Sequence, residues 1–229
     1  LQRIKAQRGL SVPGESARKR HLERCGRLRQ HLKGEHLNQE GLFRISSNPK
    51  QIKATNARLA QRRDTDPQPL SAVDLHAIAN QIKRMIQDYP GGLFGDPQSQ
   101  VQFQDALIAL CKAEGNDKNA AAKKFSDMLG ALPQENQQFF HQCIDLIEKV
   151  EAGQHKSENK NKMGRTNLIS VIAPNFFPDV PISPDKAMPF HRHQEGLDAA
   201  GGAMKTKLLQ EQWGLFDWMA LHKPADTGS

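Results

Sequence analysis

The residues best suited to chemistry lie in one short run, Glu40-Gly41-Leu42-Phe43-Arg44-Ile45-Ser46-Ser47-Asn48-Pro49. A glycine and two apolar residues precede Arg44, and Asn48 followed by Pro49 is a strong helix-start signal. Leu42 and Phe43 can anchor this segment in a core while Arg44 projects outward. A projecting guanidinium offers five donors in a rigid, permanently charged fork, which suits a carboxylate or a phosphate. The alternative is an ordinary surface ion pair between Arg44 and Glu40. Two further segments carry candidate polar groups. Lys83 lies beside the apolar stripe of the run Asp74 to Lys83, where a helix-borne cation can flank a groove. Asn175 follows Pro174, where its amide can either bond the backbone of a partner or satisfy its own chain.

Other chemistries lack parts. His191-x-His193 has no third ligand at suitable spacing, so loop histidines are expected there and no metal. Ser46 and Ser47 have no evident base or orienting acid, which removes a serine hydrolase. The chain has no G-x-x-x-x-G-K-[ST] loop with which to hold a nucleotide of its own. Cys25, Cys111 and Cys143 are odd in number and far apart, which disfavours disulfides and zinc knuckles. Cys111 and Cys143 sit among apolar residues and read as small core hydrophobes. Thirty-two basic against 25 acidic side chains give a charge of +7, a balance suited to nucleic acid, anionic membrane or an acidic protein surface. Much of it falls on Arg18, Lys19, Arg20, Arg24, Arg27 and Arg29, a run that reads as a solvated helix face. With one tyrosine and no aromatic interleaving, no nucleic acid partner is expected.

These side chains must be positioned by helices, because apolar residues recur at helical spacing and no strand-like alternation appears. Leu22, Cys25, Leu28 and Leu32 mark a helix within 15–33, and a second follows Asn48 over 49–60. Leu75, Ile78, Ile82, Met85 and Ile86 share one stripe, stopped before Pro90-Gly91-Gly92. Further stripes are Phe103, Leu107, Leu110 and Cys111, then Phe125, Met128, Leu129 and Leu132. Pro133 can open the next helix, which carries Phe140, Cys143, Ile144, Ile147 and Val150. Gly153 to Asn161 is polar and reads as a solvated loop. Leu168, Val171 and Ile172 form a short helix ending near Pro174. Four prolines between Pro178 and Pro189 make a connector, and Met204, Leu208, Leu215 and Met219 mark a terminal helix, with Trp213 and Trp218 near its end. About eight amphipathic helices imply an all-α bundle, and 229 residues suffice for one domain with a sizeable core. No apolar run reaches the length of a membrane span, and Leu1 to Lys5 lacks a signal-peptide stretch. The absence of an initial Met suggests a piece excised from something longer.

In order and spacing, these segments resemble the Rho GTPase-activating (RhoGAP) domain. The family's G-x-F-R-x-S-G signature is similar to Gly41 to Ser47, and its D-x-H-x-x-A-x-x-L-K helix to Asp74 to Lys83, with Ile82 in the leucine place. Its N-K-M … N-L … P-N block resembles Asn161-Lys162-Met163, Asn167-Leu168 and Pro174-Asn175, and its L-P-x-x-N helix start resembles Leu132 to Asn136. The resemblance covers about residues 10–220. It implies an all-α single domain of about eight to nine helices over 1–222, with its helical core at about 15–221 and a disordered tail at 223–229.

The resemblance further implies a function. Arg44 becomes an arginine finger, offered in trans to a Rho-family GTPase and stimulating its GTP hydrolysis. Lys83 holds the partner or the finger loop, and Asn175 contacts the partner's switch region. Such a protein is an activator rather than an enzyme and has no cofactor of its own, since GTP and Mg²⁺ belong to the partner. A monomer is expected, cytoplasmic or at the cytoplasmic face of membranes, where the basic first helix can meet an anionic surface. The sequence also departs from the family pattern. Where the family helix continues L-K-x-x-L-R-E-L-P, Gln87 takes the arginine place, four residues after Lys83 and on the same face. Arg84 lies about 100° round the helix from Lys83 and does not replace it. Ser47 stands for the second signature glycine, and Pro90-Gly91-Gly92-Leu93 for P-E-P-L. The Gln87 departure keeps a second outcome open, a GAP-like module that binds a GTPase or scaffold without accelerating hydrolysis.

Overall fold

The computed structural model describes residues 14–61, 70–153, 161–178 and 200–222. Among them are eight α-helices and two 3₁₀ turns, with no strand. The helices are α1 (Glu15–Gln30), α2 (Pro49–Gln61), α3 (Ala72–Gln87), α4 (Pro97–Lys112), α5 (Gly115–Gly130), α6 (Gln134–Gly153), α7 (Arg165–Ile172) and α8 (Ala200–Leu221). The 3₁₀ turns are Gly34–Asn38 and Ala173–Phe176. The all-α expectation is met, helix by helix. The 1–13 and 223–229 segments, the connector after Pro178, and His191 with His193 lie outside the described residues.

Capping explains several starts. Asn48 and Gln51 satisfy each other's backbone N–H at 2.9 and 2.8 Å, a capping box that opens α2 at Pro49. The Ser71 hydroxyl accepts from the Asp74 N–H to open α3, and Asp96 accepts from Ser99 to open α4. α3 is the central helix. Leu75, Ile78, Ile82, Met85 and Ile86 are all buried, and α3 packs against α1, α2 and the Ala173–Phe176 turn. An aromatic cluster fills another part of the core: Phe94 stacks on Phe103 (4.5 Å between centroids) and Phe177 (4.9 Å), with Phe140, Phe176 and Trp218 closing the sides. α8 lies flush on α4. A Cβ added at Gly214 would come 1.9 Å from the Leu107 carbonyl oxygen, so only glycine allows this approach.

Some expectations change in detail. α1 ends at Gln30, and Leu32 is buried from the segment that follows. Cys111 is only half-buried on α4, whereas Cys25 and Cys143 are buried, and burial raises the pKa of all three thiols. Asn161 is not part of a solvated loop: it is fully buried. Its amide donates to the carbonyls of Leu37 (2.9 Å) and Val150 (2.7 Å), and its side-chain oxygen accepts from the Met163 N–H. One side chain thereby satisfies three backbone groups that a helix end and two loops leave open.

Candidate functional site

The segment 40–48 makes a tight turn whose own backbone closes it. The N–H groups of Arg44 and Ile45 both donate to the Gly41 carbonyl, at 2.9 and 3.0 Å. Gly41 has φ +70°, and a Cβ there would sit 2.8 Å from Ile45 Cδ1, so a side chain at this position would be strained and would push Ile45 aside. Phe43 also has φ +69°, a conformation costing about 1–2 kcal/mol for a side chain of this kind. What holds it there is burial. Leu42 and Phe43 are both 0% exposed, whereas Arg44 is exposed and its side chain makes no hydrogen bond or ion pair with any described residue. The alternative pairing with Glu40 is taken by another cation: Lys162 Nζ lies 2.7 Å from the Glu40 carboxylate and, with Arg44 adding a smaller field, lowers its pKa.

Two neighbouring elements grip the turn. On one side the Gly41 N–H donates to the Asn161 carbonyl (2.9 Å), which joins the turn to the buried Asn161 bracket. On the other side, Lys83 Nζ donates to the Phe43 carbonyl at 2.6 Å from half-buried surroundings that lower its pKa. One helical turn earlier, Asn80 Nδ2 donates to the Ile45 carbonyl at 2.8 Å. Nearer the start of α3, Asp74 ties that helix to α2. Burial alone would raise its pKa, but donors from Arg58, Thr55 and Ser71 outweigh that and bring it down to about 2.

The other predicted residues fall nearby. Gln87 is half-buried on α3 and its amide makes no hydrogen bond among the described residues. Asn175 lies in the 3₁₀ turn packed against α3, and its Nδ2 donates to the carbonyls of Val171 and Ile172, both at 3.0 Å. Its amide thus caps α7, as the own-chain reading expected, and its side-chain oxygen makes no hydrogen bond among the described residues. No hydrogen bond joins Asn175 to Arg44 among the described residues. His76 packs in α3 with Nδ1 unpartnered, and burial lowers its pKa. Asn80 and the full reach of Asn161 escaped the sequence reading. A lone asparagine in a polar stretch carries no periodic signal, and the L-P-x-x-N asparagine, Asn136, likewise revealed its Leu93 carbonyl (2.7 Å) only in the fold. No cluster of histidine, cysteine or acidic side chains among the described residues fits a metal ion.

The geometry defines a class: an all-helical domain that presents Arg44, unpaired among the described residues, on a buried anchor. A family model for the RhoGAP domain matches residues 25–180, and the chain belongs to that family. Curated relatives include Rho GTPase-activating protein gacP of Dictyostelium discoideum, 28% identical over 65% of this chain. Rho GTPase-activating protein 68F of Drosophila melanogaster is 26% identical over 60% of it. The chain spans about a quarter of their lengths, 23% and 26%. Among solved structures, the BH domain of GRAF, the GTPase regulator associated with focal adhesion kinase, aligns at TM-score 0.55 and 18% identity, covering 86% of this chain and 91% of that one. Human Rho GTPase activating protein 15 aligns at 0.53 and 17%, covering 87% and 79%. At such identities the likeness speaks for the all-α fold alone.

Proposed function

We propose that this domain stimulates GTP hydrolysis by a Rho-family small GTPase, with Arg44 inserted in trans as the arginine finger. The observation that carries the reading is the combination at Arg44: an exposed guanidinium, unpaired among the described residues, set on two fully buried residues and a fixed backbone. In phosphoryl transfer to water, negative charge spreads over the γ-phosphate and leaving oxygens, and a positioned guanidinium stabilises it. Fingers of this kind are worth roughly 10³–10⁵ in rate, or ~4–7 kcal/mol. GTP and Mg²⁺ belong to the partner and supply the reacting phosphate and its counter-charge. Lys83 holds the finger loop, while Gln87 and the free oxygen of Asn175 meet the partner beside it.

The test is single-turnover GTP hydrolysis across Rho-type GTPases, with Ras and Rab types as controls. Arg44→Ala should cut the acceleration by about 10³-fold or more while largely sparing complex formation, because it removes transition-state rather than ground-state stabilisation. Equal, negligible acceleration by wild type and variant across the panel would overturn the reading. A second reading, a module that binds a GTPase or scaffold without accelerating hydrolysis, is favoured by one observation. At Gln87 a neutral amide stands one turn beyond Lys83, where the family pattern puts a cation. Binding without acceleration in the same assay would select it.

A further inference from the structure

Arg44 is anchored unevenly along the chain. Before it, Leu42 and Phe43 are sealed in the core; after it, Ile45 is 43% exposed and Ser46 is exposed as well. Burial therefore fixes the turn only on its N-terminal side. The backbone bonds to Gly41 immobilise the peptide units 43–44 and 44–45, and Lys83 adds a second bond to the first of them. The unit 45–46 is held by neither. Its carbonyl is taken by Asn80 Nδ2 at 2.8 Å, and the other hydrogen of the same amide goes to the His76 carbonyl at 2.9 Å, one turn back in α3. That second bond fixes the amide's orientation, so Asn80 is a rigid strut. With Lys83 three residues on, α3 grips both carbonyls that flank Arg44. The family's helix pattern leaves position 80 unspecified.

We infer that Asn80 is a positioning residue for Arg44, acting by locking the exposed half of the finger turn; the inference rests on Arg44 being the finger. A guanidinium contributes to a transition state only where its donors meet the developing charge, and misplacement by about 1 Å can cost up to 10²-fold. Asn80→Ala removes both donors yet improves helix propensity, so α3 itself is not weakened.

The experiment is a cycle of wild type, Asn80→Ala, Arg44→Ala and the double variant, read by single-turnover hydrolysis and by amide hydrogen exchange on the free domain. Asn80→Ala should lower the saturating rate about ten-fold with little change in the domain concentration giving half the maximal rate. In the Arg44→Ala background it should cost nothing further, since the group it positions is gone. In the free domain it should speed exchange of the Arg44 and Ile45 amides several-fold, with melting temperature unchanged. An equal loss of rate in both backgrounds, or no loss in either, would overturn the inference. If the wild-type domain accelerates no GTPase, the functional reading fails by itself, and exchange then decides for the strut: faster supports it, unchanged refutes it.

Discussion

At the scale of single residues, the site depends on which polar groups are already engaged and which are left over. Lys162 takes the Glu40 ion pair, and Arg44 makes none with any described residue. Lys83 spends one of three ammonium hydrogens on the Phe43 carbonyl. Lys83→Met keeps the aliphatic stem in its half-buried place and removes only the donor. It should lower the saturating hydrolysis rate about ten-fold or more, and an unchanged rate would mean that burial of Phe43 holds the turn unaided. At Gln87 the expectation runs the other way. Gln87→Arg adds a cation on the Lys83 face, so it should tighten association with an acidic GTPase surface about 3–10-fold at low salt. That gain should shrink as ionic strength rises, and titrations at two salt concentrations decide it.

Among elements, α3 matters most, because it faces the core with one side and the finger turn with another. Its attachment to α2 runs through the Asp74 carboxylate. With the folded pKa near 2 against an ordinary 3.8, the stabilisation is complete above the ordinary value and fades as pH falls through about 4 to 2. Allowing for water around the half-exposed Arg58, it amounts to about 1–2 kcal/mol. Asp74→Asn should therefore lower the melting temperature at pH 7, and the difference should narrow on acidification. Asn161→Ala should cost more, about 2–4 kcal/mol, since it leaves two buried carbonyls and one N–H unpaired; urea melts give the figure. These two residues also show what was legible in the sequence. The helices could be read because burial stamps a 3.6-residue period on Leu, Ile, Phe and Met. The motif around Arg44 could be read because a glycine, two anchors and a cation stand in consecutive places. Asn161 and Asn80 could not, because what they satisfy, the carbonyls of Leu37, Val150 and Ile45, lies outside their own helical turn and up to 124 residues away along the chain.

For the molecule as a whole, the α4–α8 contact is the most extensive between elements, and it contains a buried acid. Burial pushes the Glu211 carboxyl up to about 8, with Lys207 opposing and Asp105 adding to the shift. The sign follows from linkage. The unfolded chain ionises Glu211 above about pH 4.5 while the fold keeps it neutral, so stability falls as pH rises from there to about 8. Glu211→Gln should stabilise the domain by about 2–3 kcal/mol at pH 7 and make no difference at pH 4; calorimetric melts across that range check it. The glycine contact beside this acid bears on how the protein is made. α4 leaves the ribosome long before Gly214 arrives to rest on Leu107. At roughly 5–20 residues per second, that greasy surface waits on the order of 5–20 seconds for its cover. A nascent chain paused in that interval after residue 162 has made every partner of its finger turn, Asn161 and Lys162 included, while the Leu107 surface still lacks α8; such a chain presents that surface to a chaperone that holds apolar segments.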